Sequence, residues 1–478
     1  MATVTNQNIP LVHRKEWQMM TPAPVASAAG SFVVCDVYER DNLALFVQTA
    51  SVHYLYYHDE DAWVQIPSLS LAGTFGAGAT GARRRWSSTI TATGGSTTTA
   101  TTTATINGLC IGKKVRFLTG SQAGQEATIT GAIIIPGGTS TIQFAALPGA
   151  IANTDTFVVE TGRFYIVSAG TLAAGAFKSY CPLTGTVEAA LSITSLPATL
   201  GTACRLVATP SGEIADAFAT GTATSATSTT LVNSAKTWTV NQWTNYQVRI
   251  TAGTGIGQIR TISSNTGTTL TVPAWTVTPD ATSVYAIEGN DDYLYLIGNA
   301  AITMYRYSIS ANTWTVMAPT TARGGATGAG MSANWVAKTG DTNWANESDI
   351  KDGRYIFSFR GAAGALLDRF DIAGGTAGAG AWAAVTYTNQ AEVFGAGSAY
   401  AANGRYIYIR KDATHRYFKY SVRGNYIEAL STNLFPDSTA VEGDKLWFKV
   451  YQESGVDKLS WIYSLRNSAT EVHRMLLI

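Results

Sequence analysis

The sequence predicts an all-β fold: a β-propeller of about six blades with two small β-sandwich or β-barrel modules set into blade loops. Three observations predict it. A three-strand unit with period-two alternation recurs along the chain. The composition is rich in Gly, 46 residues, and poor in charge, with Asp, Glu, Lys and Arg together 14 %, so few of the residues that fill helices are available. Two further segments resemble each other at a fixed spacing and each precedes a strand of the recurring unit.

The clearest unit is DDYLYLIGNAAITMYRYSISANTWTVMAP at 291–319. Tyr293 to Ile297 alternates as a strand, Gly298 turns the chain, a second strand leads to Ile309, and a third follows Ser310-Ala311-Asn312 with Trp314 and Val316. Looser copies start at Arg354, Arg405 and Lys445, and weaker ones at Gly162 and around Leu43 to Ile66. A sheet of this kind cannot bury both faces alone and must pack against neighbours in a ring. The order of glycine, short aromatic strand, second strand and Asn-x-Trp resembles the kelch class. Where kelch blades carry a Gly-Gly pair this chain has Gly298-Asn299 and Phe359-Arg360-Gly361, and where they carry Tyr-Asp it has Tyr307-Ser308. The resemblance implies a fold and, by itself, no activity.

In chain order, residues 1–31 are polar and then Pro- and Ala-rich, an N-terminal extended arm. Two readings stand open for it: a disordered leader, or a segment ordered by a neighbouring subunit through Trp17, Met19 and Met20. Propeller parts are expected at 32–86, 162–218 and 290–478, and inserted modules at 87–161 and 219–289. Ring closure is expected between 32–38 and 472–478, so that loss of residues 1–20 leaves the ring folded. Arg83, Arg84 and Arg85 stand at the end of the first propeller part. A solvated blade edge is the favoured reading for them over a phosphate or glycan contact.

The two modules share a register. Lys114-Val115-Arg116-Phe117 and Gly124-Gln125 recur as Gln247-Val248-Arg249-Ile250 and Gly257-Gln258, and both Val115 to Val248 and Gly124 to Gly257 are 133 residues apart. DTFVVE at 155–160 echoes SVYAIE at 283–288. Each glycine turn between strands makes a hairpin, and insertion in equivalent loops puts both modules on one face of a ring. The second copy, with Trp238-Thr239, Asn241-Gln242-Trp243, Val248-Arg249-Ile250 and Arg260-Thr261-Ile262, resembles a module that recurs in structural proteins of tailed bacteriophages. That resemblance implies a virion protein without fixing its position in the particle. The first copy departs from it at Ile106-Asn107-Gly108.

Chemistry is sparse. The five histidines, His13, His53, His58, His415 and His473, form no metal-ligand spacing, and the cluster His58-Asp59-Glu60-Asp61 reads as a polar turn. No glycine pattern fits phosphate binding, and Ser310 to Trp314 keeps only the Thr-Trp end of a sialidase-type turn. The four cysteines form no Cys-x-x-Cys pair and read as small buried residues. A formal net charge of +1 argues against a dedicated nucleic-acid binder. The N-terminus lacks a secretory pattern, and no apolar run is long enough for a membrane span. Most of the 12 Trp and 22 Tyr fall in the strand pattern, where packing is the default. Trp243, Trp335 and Trp344 lie outside it and are candidate glycan or interaction contacts.

The expectation is therefore a non-enzymatic structural component of a bacteriophage virion, assembled in the host cytoplasm. It would attach to head, neck or tail proteins, homo-oligomerise in the particle, and need no cofactor or metal. A host-glycan receptor-binding protein is the alternative, and a glycan-degrading enzyme a third reading.

Overall fold

The computed structural model describes residues 17–35, 42–76, 78–201, 204–208, 218–297, 303–317, 319, 331–334, 355–359, 366–375, 378–389, 392, 394, 398–402, 406–411, 416–422, 424–430, 446–453, 456–466 and 468–477. Among them, six four-stranded antiparallel sheets are arranged as a β-propeller. From the innermost strand outward, sheet 1 runs Phe32–Val34, Leu43–Val47, His53–Tyr57 and Ala62–Gln65. Sheet 2 runs Thr80–Arg84, Arg163–Val167, Phe177–Cys181 and Thr186–Val187. Sheet 3 runs Arg205–Ala208, Tyr293–Ile297, Met304–Ser308 and Thr313–Met317. Sheet 4 runs Met331–Asn334, Tyr355–Phe359, Leu366–Asp371 and Ala381–Thr386. Sheet 5 runs Ala399–Ala402, Tyr406–Arg410, Tyr417–Ser421 and Tyr426–Leu430. Sheet 6 runs Leu446–Glu453, Val456–Leu465 and Val472–Leu477, and its outermost strand is Gln18–Met20.

The innermost strands touch in cyclic order, from sheet 1 through sheet 6 and back to sheet 1. Each seam has its own apolar cluster: Phe32, Leu45, Phe164 and Tyr180 between sheets 1 and 2, Phe177, Leu206, Tyr307 and Trp314 between 2 and 3, Tyr295, Phe370 and Trp382 between 3 and 4. The series continues with Phe359, Tyr400 and Phe418, then Tyr408, Tyr417 and Ile462, and ends with Phe46, Tyr56, Trp447 and Tyr463 between sheets 6 and 1. Two-sided packing explains the sequence pattern. Second strands such as Leu43–Val47 and Tyr355–Phe359 are buried at every position, whereas the outer strand Thr313–Met317 buries only Trp314 and Met317. Crowding near the axis selects small residues: a Cβ on Gly81 would lie 2.7 Å from Val34 Cγ2 on the neighbouring sheet.

The ring closes differently from the sequence expectation. Phe32–Val34 is the innermost strand of sheet 1, and the closing strand is Gln18–Met20, which pairs Gln18 with Arg474 and Met20 with Val472. The N-terminal segment stays on the last sheet, with Ala23 N donating to Thr470 O at 2.7 Å and Ser27 N to Ala469 O at 3.0 Å. It also crosses to sheet 1, where Asp61 accepts from Thr21 N and Oγ1, each at 3.0 Å, and Trp63 Nε1 donates to Thr21 O at 3.1 Å. Residues 18–27 are thus part of the ring rather than an arm. Trp17 packs on Tyr417 with ring centroids 4.9 Å apart, so it anchors within the chain. At the same seam the expected polar turn hides a buried ring: His58 Nε2 accepts from Trp447 Nε1 at 3.0 Å. Burial, then the nearby Lys449, holds His58 neutral, well below the usual imidazole range.

Both modules leave the ring between the first and second strands of their sheets, sheet 2 and sheet 3. The first is a closed barrel of Ile90–Gly95, Thr99–Thr102, Lys114–Phe117, Glu126–Ile133, Ser140–Phe144 and Asn153–Val159. The second has the same pairing opened into two sheets. The counterpart of Ile90–Gly95 is split into Ala219–Thr222 and Ser225–Thr227, and that of Glu126–Ile133 into Ile259–Thr261 and Ser264–Asn265. In the barrel, Gly94 with φ +140° and a bulge between Ile129 and Gly131 bend the two long strands around the corners, the usual device for closing a small barrel. Cys110, Cys181 and Cys204 are buried free thiols, and Cys35 is half-buried.

Candidate functional site

A cluster of buried charged side chains lies where the two modules meet the ring. Thr80–Arg84 delivers Arg83 and Arg84 from sheet 2, and Arg85 and Trp86 follow as the chain leaves for the first module. Strand alternation sends Arg84 one way and its neighbours the other. Arg84 donates through Nε to Asp291 O at 3.1 Å and through Nη2 to Asn290 O, and pairs with Asp291 Oδ1 at 3.3 Å. These acceptors lie in the link that returns from the second module to sheet 3. Arg83 Nη2 donates to Thr161 O at 2.8 Å, and its guanidinium lies over Phe164. Arg85 Nε donates to Glu160 Oε1 at 2.8 Å.

All three arginines are at most 4 % exposed, which overturns the expected solvated blade edge. The next innermost strand packs against this one, and links far away in sequence supply the partners that make burial of the charge tolerable.

The modules add the second half of the junction. Arg116 and Arg249 are equivalent positions of the repeat, paired in register with Val158 and Ala286. Arg116 pairs with Glu126 and reaches across to Glu288 of the second module at 3.4 Å, while Arg249 pairs with Glu288 at 2.6 Å and reaches across to Glu126 at 3.8 Å. The Trp86 ring lies between two cations, with Arg85 Cζ 4.5 Å and Arg116 Cζ 4.4 Å from its centroid, and its Nε1 donates to Asp291 Oδ2 at 2.8 Å. Arg84, Arg85, Arg116 and Arg249 thus meet Glu126, Glu160, Glu288 and Asp291, with Lys114 Nζ a further 4.0 Å neighbour of Glu126.

Below these charges the equivalent glycine turns abut. Gly124 has φ +77° and Gly257 φ +88°, a region open mainly to glycine. A Cβ on Gly124 would overlap the Gly257 backbone, and one on Gly257 would overlap the Ala123 carbonyl. The second module is also tied to the ring by Asn245. Its Nδ2 donates to Ile372 O at 2.5 Å and Gly378 O at 3.1 Å, and its Oδ1 accepts from Arg306 Nη1 at 2.9 Å. The first module is tied to sheet 2 by Asn107 Nδ2, which donates to Pro182 O at 2.7 Å.

The electrostatics suit anchoring. Burial alone would raise the Glu126 carboxyl, but Arg116, Arg249 and Arg85 outweigh it and hold the group at about 2. Burial disfavours the Arg249 cation, and Glu288 and Glu126 more than restore it. Such groups stay charged across the ordinary pH range and are poorly matched to moving protons, which requires values near the working pH. What they do is fix an orientation: removing one member strands a buried countercharge.

Of the remaining sequence candidates, Trp243 is a core residue. It is 8 % exposed and packs edge-on against Tyr246 at 5.4 Å, since the short segment ahead of Gln247–Ala252 folds under the second module. Trp335 and Trp344 lie outside the described residues. Among the described residues no group of three His, Cys, Asp or Glu side chains is placed to hold a metal ion, and no helix is long and apolar enough to cross a membrane.

No family model matches the chain, and no curated protein matches it. Solved structures that align with it include a glutaminyl cyclase of Myxococcus xanthus, 14 % identical over 46 % of this chain and 88 % of that one, TM-score 0.23. An auxiliary nutrient binding protein of Bacteroides thetaiotaomicron is 9 % identical over 84 % and 100 % of the two chains, TM-score 0.24. Its counterpart from Bacteroides ovatus is 9 % identical over 80 % and 95 %, TM-score 0.23. Likeness this distant assigns no function to the junction.

Sequence reasoning passed over Arg116, Glu126, Arg249, Glu288 and Asp291. A signal was present: Arg116 and Arg249 occupy the same place in the repeated Val-Arg step, and Glu160 and Glu288 both end the echoed strand. An arginine and a glutamate kept at matching places in both copies mark an ion pair in the second, where Arg249 meets Glu288.

Proposed function

We propose that this chain is a structural component of a tailed-bacteriophage virion, held to head, neck or tail proteins by protein–protein contacts. The virion assignment is supported by the module string around Trp243, Val248-Arg249-Ile250 and Arg260-Thr261-Ile262, which resembles modules of phage structural proteins. The observation that carries the architectural role is the network of buried ion pairs at the junction. Four guanidinium and four carboxylate groups are committed to locking the two modules onto one ring. A rigid two-module face on a closed ring presents a preformed surface, which lowers the ordering cost of docking.

The test is mass spectrometry of gradient-purified particles followed by an electron-microscopy map of the same particles. The reading expects the chain at a fixed copy number with ring-shaped density at symmetry-related positions. Its presence in the lysate and absence from the particles would overturn the reading. Release of sugars from a polysaccharide panel by the purified chain would replace it with the enzymatic one.

A further inference from the structure

The two modules differ most at one hairpin. Ile129 and Ile262 are equivalent, each donating its N–H at 2.8 Å, to Lys113 O and Tyr246 O respectively. Ile142 and Leu270 are equivalent, pairing with Ala100 and Leu231. The first pair of positions is 13 residues apart and the second 8, so the first module carries five additional residues in this turn. They fall within Ile133-Ile134-Ile135-Pro136-Gly137-Gly138-Thr139.

The extension is built, not loose. Gly138 N donates to Ile135 O at 3.0 Å and Ile135 N to Ser140 Oγ at 3.1 Å. Gly137 has φ +72°, and a Cβ on Gly138 would lie 2.6 Å from Ile135 Cγ2. Ile134 packs on the barrel core, while Ile133 and Ile135 are 55 % and 49 % exposed. No Asp, Glu, Lys, Arg or His occurs from Ala127 to Thr154, so the hairpin and the strands that carry it have no ionisable side chain beyond Glu126. An exposed apolar tip that the sister module lacks is not required by the fold.

We infer that the hairpin tip Ile133 to Gly138 is an anchor that seats in an apolar, uncharged socket on a different protein subunit of the assembled particle. This rests on the structural-component reading and names the kind of partner the ring meets. Absence of charge on the tip excludes a socket lined by charge, which would be desolvated without compensation. Area argues against a second copy as the occupant. The exposed tip offers on the order of 200 Å² of apolar surface, against the roughly 800 Å² per partner of a stable interface. Such a tip holds only where other contacts already keep the partner at high local concentration, the situation inside a particle.

Two variants test it: Ile133→Thr with Ile135→Thr, and a chain in which 133–140 is replaced by the short Thr-Gly-Thr turn found at 266–268 of the second module. Purified wild type and variants are added to particles prepared without this chain, and bound protein is counted after sedimentation. The far-UV spectrum and melting temperature of each variant are measured alongside. The expected result is unchanged folding with occupancy reduced roughly tenfold or more, the loss typical of removing a central anchor. Full occupancy by both variants overturns the anchor while leaving the structural-component reading intact. Failure of the wild type itself to bind overturns that reading, and the anchor with it. A concentration-dependent dimer of the free wild type, abolished in both variants, would instead make a second copy the occupant and overturn the socket on another protein.

Discussion

The first module is a closed barrel and the second, with the same strand pairing, is an opened sandwich. The difference shows how one repeat meets two demands. The barrel closes because glycines and a bulge bend its long strands, and its outer end is left free to carry an extended tip. The sandwich splits the same strands, and the segment between 233 and 246 folds in to complete a core that includes Trp243, Tyr246 and Trp275 and continues into sheets 3 and 4. Both modules join the ring's packing, the second through a core shared with sheets 3 and 4 and the first more narrowly, through Cys181 and Leu183 of sheet 2. Between them, Gly124 abuts Gly257, and Arg116 and Arg249 each reach across to a glutamate of the other module.

The sharpest way to probe this contrast is at position 243. Trp243 and Cys110 are equivalent: Tyr246 N donates to Trp243 O and Lys113 N to Cys110 O. Trp243→Ala should cost about 3–5 kcal/mol through the cavity it leaves, and Cys110→Ala a small fraction of that. Paired denaturant titrations measure the difference. Lost glycan binding with unchanged stability in Trp243→Ala would reverse its assignment to the core.

The junction comes next. Arg249→Met leaves Glu288 and Glu126 short of a buried countercharge and should destabilise the module pair by about 3 kcal/mol, with much of the loss recovered when Glu288→Leu is added. The double-mutant cycle checks this, and simple additivity would mean that the two groups do not interact.

Acid should expose an asymmetry, because Glu126 has no acidic counterpart; Ile259 occupies its place. Its folded value of about 2 lies below its ordinary value of 4.5. The unfolded chain therefore binds the proton first, and the stability Glu126 contributes is complete above about pH 4.5 and lost as pH falls toward 2. Stability measured from pH 6 to pH 2 should fall less steeply in Glu126→Gln than in the wild type. Equal slopes would contradict the ion pairs assigned to it.

The smallest effect expected is at the glycine contact. Gly124→Ala and Gly257→Ala should each cost about 1–3 kcal/mol through positive φ and overlap. The double variant should cost less than the sum, since either change already parts the turns.

The second, third and fourth strands of most sheets were legible in the sequence because they are adjacent and joined by short turns, as in Tyr293 to Met317. The innermost strands were harder to read. Arg205–Ala208 pairs with Tyr293–Ile297 across an entire inserted module, and no local pattern signals such a partner. Gln18–Met20 is only three residues long, and its assignment comes from pairing with the far end of the chain. The arginines were misjudged for the same reason: Arg84 finds its acceptors at Asn290 and Asp291, about 200 residues on, and alternation in a strand says which way a charge points without saying what waits there. The modules were legible because their 133-residue register preserves the turn glycines. Their difference, barrel against sandwich, depends on bends that the register does not encode.

The most direct test of the locked junction is hydrogen–deuterium exchange on the full chain carrying Arg249→Met. The account predicts that protection falls together in Lys114–Phe117 with Glu126–Ile133 of the first module and in Gln247–Ala252 with Ile259–Thr261 of the second, while sheets 5 and 6 keep theirs. Loss confined to the second module would contradict the claim that the two are held as one unit.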